Sequence, residues 1–139
     1  MFTQRAARLP LTARSTVTGN SKGFTLIEVL IVMTLIAVLA AIAVPSYRSS
    51  VIKAREATLL EDLYVMRDSI DKYYSDKGSY PVSLSKLVEG KYIRSIPMDP
   101  FTNSSGTWVE LYSDGGGGVF DVQSGSSMIG RNGVPYNEW

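Results

Sequence analysis

The most constraining feature of the sequence is an apolar run, residues 24–44, whose single charged side chain is the carboxylate of Glu28. As an α-helix these 21 residues would span about 31 Å, enough to cross the hydrocarbon core of a membrane. An unpaired carboxylate in that core costs a few kcal/mol even on lenient insertion scales, and such residues usually mark function. The run therefore predicts a membrane helix in which Glu28 must find a partner.

The residues before this run set its orientation. Segment 1–23 carries Arg5, Arg8, Arg14 and Lys22 and no acid. Basic residues that flank a membrane helix stay on the cytoplasmic side. The sequence therefore predicts a single-pass protein whose C-terminal portion faces away from the cytoplasm.

Three interpretations of residues 1–44 are open: an uncleaved membrane anchor, an ordinary secretory signal, or a specialised leader followed by a retained helix. A secretory signal is favoured by an A-x-A site at residues 41–43, where cleavage would release a soluble protein beginning at Val44. It is disfavoured by the long basic segment and by an apolar run longer than a typical signal core. Glu28 would also have no purpose in a discarded segment.

The third interpretation rests on a resemblance. Residues 23–28 read Gly-Phe-Thr-Leu-Ile-Glu and lead into the apolar residues 29–32. This pattern resembles the processing site of type IV prepilins and of type II secretion pseudopilins. The resemblance implies cleavage after Gly23 by the prepilin peptidase and N-methylation of the new terminus, Phe24. It also implies that Pro45 is the helix-kinking proline of that family.

Under this interpretation, cleavage creates a positive charge that can pair with the Glu28 carboxylate. Cleavage after Gly23 places a positive amine on Phe24 at the membrane border. In a helical stack of subunits, the Glu28 carboxylate of one chain can meet the Phe24 amine of its neighbour, and each charge then offsets the desolvation cost of the other. In the free subunit Glu28 can instead lie near the lipid headgroups, since it is only four residues from the new terminus.

Composition limits the partners and the chemistry. The chain has 14 basic and 13 acidic side chains; because four of the basic ones precede Phe24, the processed chain has ten basic and 13 acidic side chains, a net charge of −3. This mixed balance disfavours nucleic-acid binding, which needs clustered Lys and Arg. The chain has no His and no Cys, and Asp99 and Asp121 suit structural roles, so no enzymatic activity is expected.

Beyond Pro45 the helix is expected to continue to Gly78, a natural C-terminal stop. Pro45 lacks an amide hydrogen and should bend this helix rather than end it. Apolar residues recur every three to four positions and predict a stripe that faces the core: Leu63, Met66, Ile70 and Tyr73. Charged residues are expected mostly on the other side: Arg55, Glu56, Asp62, Asp68, Asp71 and Lys72.

A short helix and an irregular segment are expected after Gly78. Ser83 can cap the helix at its start, and Gly90 can end it. The two prolines within residues 96–100 predict an extended loop, since proline lacks an amide hydrogen and restricts the residue before it.

A β-hairpin and a loop are expected in the last third of the chain. Residues 107–112 and 119–122 predict two strands, and the glycine-rich stretch between them predicts the turn. Residues 125–139 are rich in Gly, Ser and Asn and predict a loop. Within this loop, Tyr136 and Trp139 can pack back onto the sheet.

This order of elements resembles the major-pseudopilin family of type II secretion (general secretion pathway protein G) within the type IV pilin-like superfamily. The resemblance includes the Gly-Ser-Tyr-Pro turn at residues 78–81, the Pro-Met-Asp-Pro-Phe segment at 97–101 and the terminal Trp139. It implies an α+β fold of the type IV pilin-like kind. In that fold a long N-terminal helix, half in the membrane and half amphipathic, packs on a small antiparallel sheet with a C-terminal loop.

The resemblance also implies a structural role. The expected divisions are a cleaved basic leader over 1–23, a transmembrane and filament-core helix over 24–45, and a periplasmic globular domain over 46–139. Processed by prepilin peptidase, the subunit would leave the inner membrane and form a helical homopolymer that drives protein secretion. Its implied partners are copies of itself, an inner-membrane assembly platform and minor pseudopilins.

Two alternatives to this function stay open. One is a type IV pilus major pilin, which forms surface filaments for adhesion, motility or electron transfer. Many such pilins close their C-terminal region with a disulfide, so the absence of Cys favours a pseudopilin. The other is a membrane-anchored binding module that does not polymerise.

Members of the resembled family typically bind calcium in the loop after the last strand. Calcium takes six to eight oxygen ligands, usually with several carboxylates among them. Residues 124–139 offer Glu138 as their only acidic side chain, and Asp114 and Asp121 do not occupy the expected positions. We therefore expect no metal site and no cofactor, with the loop held by backbone hydrogen bonds and aromatic packing.

Overall fold

The computed structural model describes residues 22–139 of the chain. The predicted leader, residues 1–23, therefore lies almost wholly outside the described residues. Internal contacts divide the chain after Leu39, and the two parts are described separately. The elements in chain order are α1 over Leu26–Lys77, α2 over Leu84–Glu89, β1 over Val109–Tyr112, β2 over Val119–Gln123 and a 3-10 turn over Tyr136–Glu138.

Helix α1 runs through Pro45 to the predicted C-terminal stop but begins two residues later than predicted. It begins at Leu26, runs through Pro45 and ends at Lys77. Gly78 follows in the left-handed conformation, with φ at 71°, and its N–H donates to the Tyr74 carbonyl at 2.8 Å. A residue with a side chain would be strained at that φ, so glycine fixes the C-terminal stop.

One face of α1 forms the base of the core. Its fully covered apolar residues, spaced three to four apart, are Leu59, Leu63, Met66 and Ile70. This confirms the predicted stripe and extends it by one turn toward the N-terminus. Tyr73 lies half-buried at the edge, with its ring 5.3 Å from that of Tyr92. The stripe packs against Leu84, Leu87, Ile93, Trp108, Val119, Val122 and Tyr136.

Glu56 lies on the buried face of α1, so its predicted position on the polar side is wrong. It precedes Leu59 by three residues and continues the spacing of the stripe, and helical geometry therefore turns it toward the core. Arg55, Asp71 and Lys72 are exposed, as predicted.

Strands β1 and β2 form the predicted antiparallel hairpin, with Tyr112 opposite Val119. Trp108, predicted within the first strand, precedes it. Its buried indole N–H donates to the Pro97 carbonyl at 2.8 Å. This bond ties the entry to the hairpin to the extended loop over 96–100, whose predicted irregular form is confirmed.

The turn after α1 packs against the end of the hairpin loop. The carbonyl of the buried Pro81 accepts the Val119 N–H at 2.7 Å. Gly118, with φ at 102°, lies so close that a Cβ would come within 2.6 Å of the Tyr80 carbonyl oxygen. Only glycine fits between the two segments, which explains why a glycine ends the loop.

The start of α2 is capped from β1 and not by Ser83, so the predicted local cap is wrong. Ser83 makes no capping hydrogen bond. The Leu84 N–H instead donates to Glu110 Oε1 at 2.9 Å, and Glu110 Oε2 accepts the Tyr112 hydroxyl at 2.7 Å. A carboxylate on the neighbouring strand therefore satisfies the amide that a local cap would take.

Asp99 is buried and organises the turn that follows the extended loop. Its Oδ1 accepts the N–H groups of Phe101 at 2.8 Å and Thr102 at 3.3 Å, and its Oδ2 accepts the Ser124 hydroxyl. These bonds satisfy a carboxylate whose burial would otherwise be costly. They support a structural role for Asp99.

Asp62 is a partly buried acid near the base of the core. Burial raises its pKa, and the neighbouring Glu61 and Asp99 raise it further. A carboxyl group whose pKa is higher in the folded state than in the unfolded state opposes folding once it is ionised. Its unfavourable effect therefore grows as the pH rises above the ordinary pKa of aspartate.

We predict that Leu59→Ala lowers the free energy of unfolding by about 2–5 kcal/mol, because the substitution leaves a cavity in the core. Leu60 provides a matched control, since its side chain is 55% exposed and its truncation removes little buried area. Chemical denaturation of the full chain in detergent, followed by tryptophan fluorescence, measures both variants. Equal losses from the two substitutions would contradict the observed packing.

We also predict that Asp62→Asn raises the free energy of unfolding at neutral pH and that this gain disappears near pH ~3, where both states bind the proton. Asp71→Asn is the control, because it removes a carboxylate that is exposed on the same helix. Denaturation curves at the two pH values give the comparison. A gain of the same size at both pH values would rule out ionisation of Asp62 as its cause.

Candidate functional site

Residues 22–25 form an exposed segment without regular structure before α1. The Phe24 side chain is 83% exposed, and a Cβ built on Gly23 would have no neighbour within 4 Å. The Gly23–Phe24 peptide bond, the predicted cleavage point, therefore lies outside the helix on open backbone. Exposed segments of this kind are the preferred sites of proteolysis.

Thr25 sets the start of α1. Its hydroxyl oxygen accepts the Glu28 N–H at 3.3 Å, and its carbonyl accepts the Val29 N–H at 3.2 Å. Thr-x-x-Glu is the spacing of a capping box, in which side chains bind amides that the first helical turn leaves unpaired. It also places an acid at the positive end of the helix dipole. The cap keeps Gly23 and Phe24 out of the helix.

Glu28 differs from the other polar residues of the apolar run. The Thr34 hydroxyl donates to the Leu30 carbonyl at 2.7 Å, so it is satisfied within α1. The Thr25 hydroxyl takes part in the cap. Within residues 22–139, by contrast, the Glu28 carboxylate makes no hydrogen bond or ion pair. Its charge therefore has no internal partner in this part of the chain.

The apolar side chains around Glu28 are exposed on every side of the helix. Among the large ones in residues 24–44, exposure ranges from 46% at Val29 to 89% at Leu26. A helix that is apolar all round is covered by lipid or by a larger assembly. By length and composition, α1 is long and apolar enough to cross a membrane.

Pro45 lies within α1, and the helix continues on both sides of it. Proline removes one backbone hydrogen bond of the helix and favours a bend there. The kink itself stays a prediction. Gly23, Phe24 and Glu28 lie together at the start of α1, whereas Pro45 belongs to the second part of the chain.

The C-terminal loop, residues 124–139, is fastened to α1 by two side chains. The first is Glu56, whose Oε1 accepts the Arg131 N–H at 2.8 Å and the Tyr136 hydroxyl at 3.0 Å. Burial raises the pKa of the Tyr136 phenol and the bond to Glu56 raises it further, so this hydroxyl stays a neutral donor at ordinary pH. Tyr136 also stacks on Phe101, with 3.8 Å between ring centroids.

The second side chain is Arg67. Its Nε donates to Asp121 Oδ1 at 2.6 Å, and its Nη2 donates to the main-chain oxygens of Val122 at 3.0 Å and Trp139 at 2.8 Å. The planar guanidinium thus gathers three oxygens from β2 and the loop. Asp121 is an anchor for this cation, which supports its structural role.

The residues of this loop do not fit calcium. Glu138 is the one acidic side chain in residues 124–139, and it is exposed. Asp121 is already paired with Arg67, and Asp114 lies exposed in the hairpin loop. In the described part of the chain, no group of three acidic, histidine or cysteine side chains could hold a metal ion. Calcium needs six to eight oxygens, which this donor set does not supply.

Sequence patterns missed both anchoring residues, since they placed Glu56 on the polar side of α1 and left Arg67 unassigned. The spacing of Glu56 from Leu59, Leu63 and Met66 does indicate that Glu56 is buried. An acid on a buried apolar stripe must have a polar partner, so the spacing also indicates that Glu56 is paired. Arg67 lies beside the stripe, and its partners are 54 to 72 residues away in sequence. No local pattern indicates contacts of that range.

Comparison with known proteins connects these features to a family. The model of the prokaryotic N-terminal methylation motif matches residues 18–44, a range that includes Gly23, Phe24 and Glu28. Fimbrial protein EcpC of Eikenella corrodens is 38% identical over 80 residues, which cover 54% of this chain and 52% of that protein. No solved structure matches the chain at a significant level.

Similarity along most of the chain is found with proteins named type II secretion system core protein G. The protein of this name from Klebsiella pneumoniae is 32% identical over 132 residues, which cover 84% of this chain and 89% of the relative. The one from Escherichia coli K12 is 29% identical over 123 residues, covering 77% and 82%. With this similarity, its N-terminal motif and its long helix on a small antiparallel sheet, the chain belongs to the pilin-like family of type II secretion system core protein G.

Proposed function

We propose that the chain is cut after Gly23, methylated on Phe24 and polymerised into the pseudopilus of a type II secretion system. The observation that carries this proposal is the Glu28 carboxylate, a charge on an exposed apolar helix with no hydrogen bond or ion pair within residues 22–139. Such a charge is costly in lipid unless a partner reaches it. The names of the relatives support a role in a secretion system.

The partner proposed for Glu28 is the Phe24 amine of a neighbouring copy. Cleavage creates this amine at the start of α1, where the helix dipole disfavours a positive charge and a nearby acid offsets it. In a stack of subunits the pair fixes the axial offset between neighbours. The exposed apolar side chains of residues 24–44 supply most of the contact area between helices.

The proposed setting is the inner membrane, which residues 24–45 span. The four basic side chains of leader 1–23 favour a cytoplasmic N-terminus and therefore a periplasmic domain over 46–139. Prepilin peptidase acts at Gly23, and the inner-membrane assembly platform and minor pseudopilins then take part in polymerisation. Pro45 is the site at which the helix bends. The proposed role is structural, without enzymatic activity.

We predict that Glu28→Gln leaves membrane insertion and leader removal intact but lowers the amount of assembled filament about tenfold or more, because the Phe24 amine is buried without its counter-charge. Thr34→Val is the matched control, since the Thr34 hydroxyl is bonded within its own helix. Assembled filament is quantified by chemical crosslinking of neighbouring subunits in the cell envelope followed by immunoblot, with leader removal checked by mass. Filament yields of Glu28→Gln equal to those of the parent chain would exclude the charge pair.

A type IV pilin is the second candidate, and the fimbrial relatives favour it. EcpC of Eikenella corrodens and the fimbrial protein of Neisseria meningitidis are 38% and 36% identical to the chain. Each match covers 54% of this chain, whereas the protein G relative from Klebsiella covers 84%. The greater coverage favours the pseudopilin. A membrane-anchored module that never polymerises is the remaining alternative, and loss of filaments in Glu28→Gln would argue against it.

We predict that deleting the gene stops the release of folded proteins across the outer membrane and leaves surface pili unchanged. The physical reason is that a short periplasmic filament acts on cargo within the cell envelope, whereas a pilus acts outside it. Assay of secreted proteins in the medium and electron microscopy of the cell surface separate the two. Loss of surface pili with normal secretion would establish the pilin alternative.

A further inference from the structure

We propose that Glu56 and Arg67 of α1 close the C-terminal loop in place of a bound calcium ion, so that the loop keeps its folded form when calcium is removed. The loop is the segment over residues 124–139. The proposal concerns the folded domain and does not depend on processing or on filament assembly.

The spacing of the two anchors supports this assignment. Glu56 and Arg67 are eleven residues apart, which is close to three turns of an α-helix, so both side chains lie on the same side of α1. Glu56 binds the middle of the loop through Arg131 and Tyr136. Arg67 binds the last residue, Trp139.

Arg67 does chemically what a metal ion would do at the base of the loop. Its guanidinium carries a fixed positive charge and binds one carboxylate oxygen, from Asp121, and two main-chain oxygens, from Val122 and Trp139. A calcium ion would have to share Asp121 with this cation, and the two positive charges would repel each other. The organic cation therefore replaces the metal and does not complement it.

Glu56 presents the opposite charge to the loop. Its buried Oε1 accepts one N–H, from Arg131, and one O–H, from Tyr136. Both donors direct hydrogen atoms toward Oε1, so hydrogen bonds from the loop already occupy this oxygen. The carboxylate therefore orders the loop through hydrogen bonds of its own.

A third contact closes the start of the loop. The Ser124 hydroxyl donates to the buried Asp99, and the Ser126 N–H donates to Ser124 Oγ at 3.1 Å. Within the loop, the Tyr136 N–H donates to the Met128 carbonyl at 2.9 Å. The start, middle and end of the loop are thus each held by groups of the chain itself.

Amide hydrogen exchange of the full chain in detergent tests the proposal, with peptides over residues 125–139 read by mass spectrometry. In excess EDTA and in millimolar calcium chloride, we expect the loop amides to exchange at the same slow rate. Glu56→Ala and Arg67→Ala should each exchange about tenfold faster or more in both solutions, because local opening no longer breaks these bonds. Added calcium should not restore protection.

Matched variants separate loop closure from general destabilisation. Glu61→Gln and Arg55→Ala change exposed charges on the same helix and should exchange like the parent chain. Glu56→Gln keeps an acceptor oxygen and should retain most of the protection, which separates loss of the hydrogen bonds from loss of the charge. If Glu56→Ala does not fold, Tyr136→Phe removes one of the two hydrogen bonds to Glu56 and should speed loop exchange. Peptides of α1 that contain Leu63 and Met66 report whether the core stays closed.

Two results would overturn the proposal. One is a tenfold or greater loss of loop protection when EDTA is added to the parent chain, reversed by calcium, which would assign closure to the metal. The other is unchanged loop exchange in Arg67→Ala and Glu56→Ala, which would assign closure to other contacts. Both readouts are independent of pseudopilus assembly.

Discussion

The cost of placing the Glu28 carboxylate on an apolar helix is the constraint on which the N-terminal part of this chain depends. A charge four residues beyond Phe24 is stable in or near lipid only where a headgroup, water or an opposite charge reaches it. Thr25 starts α1 just after Phe24, so the proposed cleavage point lies outside the helix, and the amine that cleavage would create lies four residues before Glu28. In the proposed function, one short segment is therefore both the substrate of processing and a contact in assembly.

The second half of α1 differs from the first in where its charged side chains find partners. Its Glu56 and Arg67 find their partners inside the domain, where they bind the loop and β2 at distances of 2.6 to 3.0 Å. Between them, Leu59 and Leu63 pack into the core. The same helix therefore has an exposed apolar surface in its first half, and in its second half it supplies a buried apolar face and two polar anchors to the small domain. A domain with a thin core benefits from such long-range polar ties, since it contains no disulfide.

The sequence predicted those features that composition and short spacing specify. The apolar run, the stripe of Leu63 and Met66 and the hairpin follow from local periodicity, because membrane insertion and core burial act on whole segments. The Gly23–Phe24 motif is recognised by its resemblance to a known processing site. The cap of α2 and the anchors of the loop could not be predicted from local sequence patterns. Glu110 and Arg67 act on residues that folding brings close, and their choice of partner depends on tertiary geometry.

The intact mass and N-terminal residue of the protein from its native membranes test most directly whether the amine proposed as the partner of Glu28 exists. Cleavage after Gly23 predicts a chain that begins with N-methylated Phe24 and retains Glu28 close to its new amine. A chain beginning at Val44 would contradict this, because ordinary secretion would have discarded Glu28 with the signal. A chain that retains residues 1–23 would contradict it as well, since no amine would then exist at Phe24.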